Sequence, residues 1–295
     1  MMKFDAKNSF IKLSIIVIAM ICMNFTDIVE EGCSHNYSSL VLEEDGDVLF
    51  QKRPENIVYP ASLTKVMTLY LTFEALEQQK IEPTQKIVFS GYAEEISNIN
   101  TTNTLHIKSG DTITVRDAIR AVIVKSMNEA AIALAEAVAG DEWHFVRKMN
   151  DKAEELGMYH TSYRNATGLH AQGQYTTNYD LARLTLAIKN DFPAYYHLFS
   201  LKEFSYHNKT YKTHNHVLAE YKGAEGLKTG FTKASGFNLI SVAKRKDKRV
   251  ISVLTSCASH QKRDALTKEL LNQSFTKIAN QEHKPRARFT LATRR

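Results

Sequence analysis

The chain has 295 residues, of which 43% are hydrophobic and 24% charged, with 12 Gly and 5 Pro. This length allows one large domain or two ordinary ones, and the composition excludes a disordered or fibrous protein. A formal net charge of +6 suits an acidic partner such as nucleic acid, anionic lipid or an anionic wall polymer, without choosing among them. The basic run at 244–248 is typical of a solvated hairpin turn, so we predict no nucleic-acid partner.

The N-terminus carries the pattern of a secretory signal peptide. Three lysines precede an uncharged, largely apolar stretch of 14 residues at positions 13–26. That stretch is shorter than the roughly 20 apolar residues that cross a bilayer, and it has the length of a signal core. We expect residues 1–33 to be the signal peptide, with cleavage between Asn24 and His35; an uncleaved anchor is the alternative. The protein would then be exported to the periplasm or the outer face of the bacterial cytoplasmic membrane.

Three cysteines are too few and too scattered to predict a disulfide framework. Cys22 lies inside the apolar signal core, which leaves Cys33 and Cys257. We therefore expect an exported protein that does not depend on disulfides, which favours a bacterial envelope protein over a small secreted scaffold.

The order of the predicted elements indicates an α+β fold. Two apolar runs around Asp45-Gly46 predict a hairpin at 39–52, and two more around the charged turn predict a second hairpin at 237–256. Helical patterns occupy most of the region between them, at 60–76, 114–139 with a break at Lys125–Asn128, 141–156 and 178–189, and a last helix covers 262–280. The terminal strands would form one antiparallel sheet, and the central helices a second lobe.

One of several Ser-x-x-Lys sequences stands out by its surroundings. The pattern occurs at Ser9, Ser62, Ser241, Ser259 and Ser274, so alone it carries little weight. Pro60 favours a helix start, which places Ser62 in the first turn with Lys65 on the same face. An apolar helix would desolvate Lys65 and lower its pKa, so that it accepts the Ser62 proton. The alternative is a capping serine beside a lysine whose amine reaches solvent.

Two further motifs add to Ser62 and Lys65. Ser126-Met127-Asn128 breaks a helix and offers a hydroxyl for proton relay and an amide that can hold a substrate. Lys228-Thr229-Gly230 occurs once, near the second hairpin, where a strand edge suits capture of a terminal carboxylate and close backbone approach. Ser-x-x-Lys, Ser-x-Asn and Lys-Thr-Gly in this order form a set known from penicillin-binding proteins and class A β-lactamases.

The chain resembles the D-alanyl-D-alanine carboxypeptidases, which are low-molecular-mass penicillin-binding proteins of the bacterial wall. The resemblance covers roughly residues 38–280. It is carried by the stretches Pro60-Ala-Ser-Leu-Thr-Lys-Val-Met-Thr68, Thr114-Val-Arg-Asp117, Ser126-Met-Asn-Glu-Ala-Ala131, Asn165-Ala-Thr-Gly-Leu169 and Gly226-Leu-Lys-Thr-Gly-Phe-Thr-Lys-Ala-Ser-Gly-Phe-Asn238.

The resemblance implies a penicillin-binding/β-lactamase-like transpeptidase fold, with an antiparallel sheet flanked by helices, a helical lobe and the active site between them. It implies that Ser62 is the nucleophile, Lys65 its base and Ser126 a proton shuttle. The substrate-binding residues would be Asn128, Lys228, Thr229, Gly230 and Phe231, with the backbone N–H groups of Ser62 and Phe231 as the oxyanion hole. The enzyme would remove the terminal D-Ala from stem pentapeptides without metal or cofactor, and β-lactams would inhibit it covalently.

Some features depart from the family pattern. Met127 replaces a common Gly, which we expect to narrow the cleft, and Phe231 follows the Lys-Thr-Gly motif where smaller or polar residues are frequent. Many relatives carry a β-sandwich and an amphipathic anchor after the catalytic domain, whereas we predict a single two-lobed catalytic domain at 34–280 followed by a basic tail at 281–295. That tail is a candidate for peripheral contact with anionic membrane, although a solvated end fits it better.

Five other functions share some of these features. A class A β-lactamase needs a Glu for deacylation, and no Glu-x-x-x-Asn pattern occurs after Ser126, where Met158 and Tyr159 follow Glu154 and Glu155 at that spacing. A D,D-endopeptidase acting on cross-links and a non-catalytic penicillin-binding wall protein keep the same fold and stay as alternatives. A zinc hydrolase would use His207, His214 and His216, which lack a partner at metal-motif spacing, and a Ser-His-Asp hydrolase lacks its Gly-x-Ser-x-Gly elbow.

Overall fold

The computed structural model describes residue 33 and residues 37–99 and 103–280. Most of the predicted signal peptide and the whole predicted basic tail at 281–295 lie outside the described residues, so both stay predictions. In the described ranges, none of the helices combines the length and apolar character that a membrane crossing requires.

A five-stranded antiparallel sheet joins the two ends of the described chain. The strands are β1 (Ser38–Glu43), β2 (Val48–Lys52), β3 (Lys86–Val88), β4 (Thr112–Thr114), β5 (Glu203–Tyr206), β6 (Lys209–Lys212), β7 (Ala224–Thr232), β8 (Gly236–Arg245) and β9 (Lys248–Cys257). The large sheet has the order β2-β1-β9-β8-β7, while β3-β4 and β5-β6 form small separate pairs. Both predicted hairpins are confirmed, and β1 pairs with β9 as the predicted sheet of terminal strands requires.

The helices follow the sequence pattern closely. They are α1 (Lys65–Glu77), α2 (Gly91–Ile99), α3 (Val115–Lys125), α4 (Asn128–Ala139), α5 (Glu142–Glu155), α6 (Asn178–Asp191), α7 (Pro193–Tyr196), α8 (His216–Glu220) and α9 (His260–Asn280), with 3-10 turns at Ala61–Thr64 and His197–Ser200. The predicted break falls between α3 and α4. Asp141 caps α5, because its carboxylate accepts the His144 backbone N–H at 2.8 Å.

The large sheet separates two hydrophobic cores. Alternate residues of β9 face opposite sides, so that Ile251 and Val253 pack with the central helices whereas Val250 and Leu254 pack against α9. Helix α1 lies within the larger core, and nearly all of its circumference is buried, which its all-round apolar sequence predicts. The predicted α+β architecture, a sheet flanked by helices with a separate helical lobe, is confirmed.

A disulfide joins Cys33 to Cys257, whereas we expected a protein that does not depend on disulfides. Their Cα atoms lie 4.8 Å apart, and the bond links positions separated by 224 residues. Cys257 ends β9, next to the segment that leads into α9. Sequence spacing could not reveal this pair, because only the pairing of the two chain ends brings the two cysteines together. Cys33, taken as the last residue of the predicted signal peptide, is thus bonded to the folded domain.

Candidate active site

Ser62 lies in the 3-10 turn that leads directly into α1. The side-chain amide of Asn238, on β8, holds the entry to this turn by donating to the carbonyl oxygens of Tyr59 at 3.0 Å and Pro60 at 3.2 Å. A loop passes close on another side, since a Cβ on Gly168 would lie only 1.9 Å from the Ala61 carbonyl oxygen. The turn that carries Ser62 is therefore fixed by both the sheet and the helical lobe.

Lys65 is fully buried at the start of α1, directly beside Ser62. Its Nζ donates to Asn128 Oδ1 at 2.7 Å and to the Thr167 carbonyl oxygen at 2.5 Å, and lies 3.0 Å from Ser62 Oγ. Burial lowers the pKa of Lys65 to about 7, against the opposing pull of the Glu129 carboxylate. A neutral amine has two N–H donors for Asn128 and Thr167 and one lone pair, which is left for the Ser62 hydroxyl.

The break between α3 and α4 brings Ser126 and Asn128 to the same place. Ser126 adopts a left-handed conformation with φ of 60°, which ends α3 and turns the chain into α4. Its Oγ is buried and has no hydrogen-bond partner among the described residues. Met127 is fully buried in the larger core and does not line the cleft, so the expectation that it narrows the cleft is wrong.

The opposite wall of the site is formed by the edge strand β7. Lys228 is buried and donates to the Thr229 carbonyl oxygen at 3.0 Å. Burial, followed by the charges of Lys65 and Arg263, holds the pKa of Lys228 well below its usual range. Thr229 Oγ1 lies 2.7 Å from His214 Nε2, so this hydroxyl is oriented by a histidine.

Gly230 brings β7 into close contact with the turn that carries Ser62. A Cβ at this position would lie 3.0 Å from the Pro60 carbonyl oxygen and 3.2 Å from the Ser62 backbone nitrogen. Only glycine therefore allows the strand to approach this closely without displacement. The following residue, Phe231, is half exposed and stacks on Phe237 with ring centroids 4.2 Å apart.

A cleft of about 560 Å³ joins the two walls. Of the predicted site residues, Ser62, Ser126, Asn128, Thr229, Gly230 and Phe231 line it, while the buried Lys65 and Lys228 lie behind it in contact with Ser62 and Thr229. The structure thus brings all eight residues together.

Sequence reasoning missed four contributors to this site. They are Thr167, which accepts from Lys65; His214, which pairs with Thr229; Asn238, which holds the Ser62 turn; and Arg263, which is buried beside the cleft. The stretches around Thr167 and Asn238 did carry the family resemblance, which was a usable signal. No sequence motif marked Arg263, whose guanidinium donates to Asp264 Oδ1 and to the Asn238 carbonyl oxygen.

Comparison with known proteins decides the family. The profile of the peptidase S11 family, described as D-alanyl-D-alanine carboxypeptidase, matches residues 32–258. The chain belongs to this family. It is 31% identical over 244 residues to the D-alanyl-D-alanine carboxypeptidase DacF of Bacillus subtilis, an alignment that covers 81% of this chain and 62% of DacF.

Solved structures show the same fold. Penicillin-binding protein 6B of Escherichia coli matches with a TM-score of 0.74 and 33% identity over 80% of this chain and 76% of that one. Penicillin-binding protein D2 of Listeria monocytogenes, in its ampicillin-bound form, matches with a TM-score of 0.70 and 28% identity over 81% of this chain and 96% of that one. The predicted penicillin-binding transpeptidase fold is confirmed. The chain spans about three-fifths of the length of the curated relatives it matches.

Proposed function

We propose that the protein is a serine-type D-Ala-D-Ala carboxypeptidase that removes the terminal D-Ala from peptidoglycan stem pentapeptides. The observation that carries the proposal is the buried Lys65 amine, 3.0 Å from the Ser62 hydroxyl and with a pKa lowered to about 7. A lysine with its ordinary pKa of about 10.4 is almost fully protonated at neutral pH and cannot act as a base. Burial in this family member supplies the neutral amine that activation of serine requires.

The reaction begins with attack of Ser62 Oγ on the carbonyl carbon of the penultimate D-Ala. The Ser62 proton passes to Lys65 Nζ as the C–O bond forms, and the backbone N–H groups of Ser62 and Phe231 stabilise the oxyanion. The amide C–N bond then breaks, and Ser126 relays the proton from Lys65 to the departing amino group. Water hydrolyses the resulting ester and regenerates Ser62. The unpartnered, buried Ser126 Oγ supports this relay, because a hydroxyl without fixed bonds is free to exchange them.

The strand wall would hold the substrate by its C-terminal carboxylate. Lys228 supplies charge, Thr229 supplies a hydroxyl oriented by His214, and Arg263 adds a second buried cation beside the same cleft. Asn128 would hold a backbone amide of the stem peptide from the helical side. The charge-assisted contact of Lys228 and Arg263 with the substrate carboxylate selects a free C-terminus over an internal peptide bond.

We further propose that β-lactams acylate Ser62 and inhibit the enzyme. A solved relative with the same fold is described in an ampicillin-bound form. Deacylation should be slow, because no Glu-x-x-x-Asn pattern of the class A β-lactamase type follows Ser126 in the sequence.

Export to the bacterial envelope belongs to the same proposal. A periplasmic or extracytoplasmic substrate requires it, and a disulfide between Cys33 and Cys257 suits an oxidising compartment. Within the cleavage range of Asn24 to His35, the disulfide favours a signal-peptide cut before Cys33. The basic tail at 281–295 remains a candidate for peripheral contact with anionic membrane.

The decisive experiment incubates the purified protein with a synthetic stem pentapeptide and measures released D-Ala. The wild type should release D-Ala, whereas Ser62→Ala should not. Ser274→Ala is a matched control, since Ser274 also heads a Ser-x-x-Lys sequence but lies buried in α9, away from the cleft. Cleavage of a cross-linked dimer without release from the pentapeptide would replace the proposal with a D,D-endopeptidase. Covalent penicillin labelling without either hydrolysis would leave a penicillin-binding wall protein.

A further inference from the structure

Two histidines and an aspartate form a cluster at the edge of the cleft. One ligand-type atom each from His216, His260 and Asp264 lies within 4.8 Å of the other two. His216 begins α8, while His260 and Asp264 are four residues apart and therefore share a face of α9. His216 and His260 line the cleft, but neither has a part in the proposed hydrolysis.

Two buried atoms of this cluster have no hydrogen-bond partner among the described residues. They are His260 Nδ1 and Asp264 Oδ2, although the latter lies 3.3 Å from His216 Nδ1, within ion-pair distance. Asp264 has a relative exposure of only 5%. Its other oxygen, Oδ1, accepts hydrogen bonds from Arg263 Nε at 2.9 Å and Nη2 at 2.6 Å. Buried polar atoms without partners are rare and costly, so a ligand that engages them gains free energy.

The donor set fits a divalent transition metal. Two imidazoles and one carboxylate are a ligand set that zinc uses in open sites, with ligand distances of about 2.0–2.2 Å. Two tetrahedral ligands at that distance lie about 3.4 Å apart. His216 Nδ1 and Asp264 Oδ2 lie 3.3 Å apart, close to this spacing, and the ligand atom of His260 lies within 4.8 Å of both.

We propose that His216, His260 and Asp264 bind one zinc-class divalent metal ion at the edge of the cleft, with a remaining coordination position open to water or a carboxylate. Asp264 would then bridge the metal and the Arg263 guanidinium through its two oxygens. The positive charge of Arg263 beside Asp264 lowers the affinity for a metal ion, so we expect weaker binding than at a four-ligand structural zinc site.

The sequence pattern grouped His216 with His207 and His214, whereas the structure places those two histidines elsewhere. His214 is engaged with Thr229, and His207 is exposed in the turn between β5 and β6. The actual partners of His216 come from α9, where the spacing His260-x-x-x-Asp264 was the overlooked signal.

The test is calorimetric titration of ZnCl₂ into the purified, untagged full protein after treatment with EDTA and removal of the chelator. We expect one ion per chain, and at least tenfold weaker binding in each of the variants His216→Ala and His260→Ala. His207→Ala is the matched control and should bind like the wild type. Because His216 is half exposed, His216→Ala should fold normally, which retained covalent penicillin labelling would verify.

Three results would overturn the proposal. They are wild-type zinc binding in a folded His216→Ala variant, equal weakening in His207→Ala, and absence of a saturable site in the wild type. Replacing ZnCl₂ with CoCl₂ adds a spectroscopic readout, since a specific site gives a saturable visible absorption that both cluster variants lose.

Discussion

The two walls of the cleft place a lysine beside the chemistry in different ways. On the helical wall, Lys65 is held by Ser62, Asn128 and Thr167, three groups from three separate segments. On the strand wall, Lys228 donates to the carbonyl oxygen of its own neighbour Thr229. The helical wall fixes an amine against a hydroxyl, whereas the strand wall leaves its polar groups disposed along one edge strand.

In the proposed mechanism, this difference assigns proton transfer to the helical wall and substrate binding to the strand wall. Lys65 is shielded from water, so its charged form is unfavourable and its amine can be neutral, as a base must be. Its neighbours direct the lone pair of that amine toward Ser62. The strand wall brings Lys228 and Arg263 close to the Thr229 hydroxyl, and a carboxylate ligand would compensate the positive charge of these two side chains. Changes on the helical wall should therefore lower the rate of acylation, and changes on the strand wall should weaken substrate binding.

Lys65→Met should have the largest effect and separates activity from stability. Loss of the general base should reduce acylation by fluorescent penicillin by at least about 10³-fold. The same variant should raise the free energy of unfolding by about 2 kcal/mol. Burying Lys65 lowers its pKa from 10.5 to about 7, which destabilises the folded wild type by about 4–5 kcal/mol, and the variant is free of this penalty. The variant also loses the Lys65 hydrogen bonds, which reduces its gain in stability by about 1–3 kcal/mol.

Gel-based labelling and urea denaturation measure the two effects of Lys65→Met. Lys262→Met is a control, because Lys262 occupies the same place in the Ser259-x-x-Lys262 sequence but is exposed. A Lys65→Met protein that unfolds more easily than the wild type would show that the three hydrogen-bond partners of Lys65 outweigh its desolvation, and the contrast between the walls would lose its basis.

Removing the disulfide should affect stability and spare both walls. The double variant Cys33→Ala/Cys257→Ala should lose about 2–4 kcal/mol of unfolding free energy, because the bond closes a long loop in the unfolded chain. Acylation at a temperature where the protein stays folded should be unchanged, since the cysteines do not line the cleft. Urea denaturation with and without a reductant checks the first expectation. A large loss of labelling in the folded variant would show that β9 positions the site through this bond.

Thr229→Val tests the strand wall alone. The variant keeps the shape of the side chain and removes the hydroxyl that His214 orients, so kcat/KM for the pentapeptide should fall about 10- to 100-fold, mainly through KM. A pentapeptide with a C-terminal amide in place of the carboxylate provides the control. Wild type and variant should cleave that peptide at similarly low efficiency. A fall confined to kcat would assign Thr229 to the chemical step and blur the distinction between the walls.

The sequence predicted the helical wall better than the strand wall, for a physical reason. Ser62 and Lys65 are one helical turn apart, and the break at Ser126 follows from local polarity within an apolar helical pattern, so short-range rules place them. The apolar surroundings of α1 also predicted the burial of Lys65 correctly.

Contacts made by distant segments escaped prediction. Asn238 lies about 180 positions after the backbone that it holds, Arg263 is brought to the cleft by the packing of α9, and Cys33 meets Cys257 only through pairing of the chain ends. Met127 was misplaced for a related reason. A motif position says which residues are adjacent in sequence, whereas the left-handed turn at Ser126 decides which side chain points into the core.

The smallest and most discriminating effect is the dependence of acylation on pH. The proposed base is the neutral form of Lys65, whose pKa is about 7, so the rate should fall about tenfold for each pH unit well below 7 and level off above it. His214 should not contribute, because burial and the neighbouring cations Lys228, Lys125 and Arg263 lower its pKa to about 3.

Penicillin acylation rates between about pH 5 and pH 9 measure the midpoint, with the ordinary lysine value of about 10.4 as reference. His214→Gln should change the amplitude through Thr229 but leave the midpoint in place. A midpoint that moves with His214→Gln would transfer the titration to the strand wall, and one near 10 would mean that burial does not supply the neutral amine.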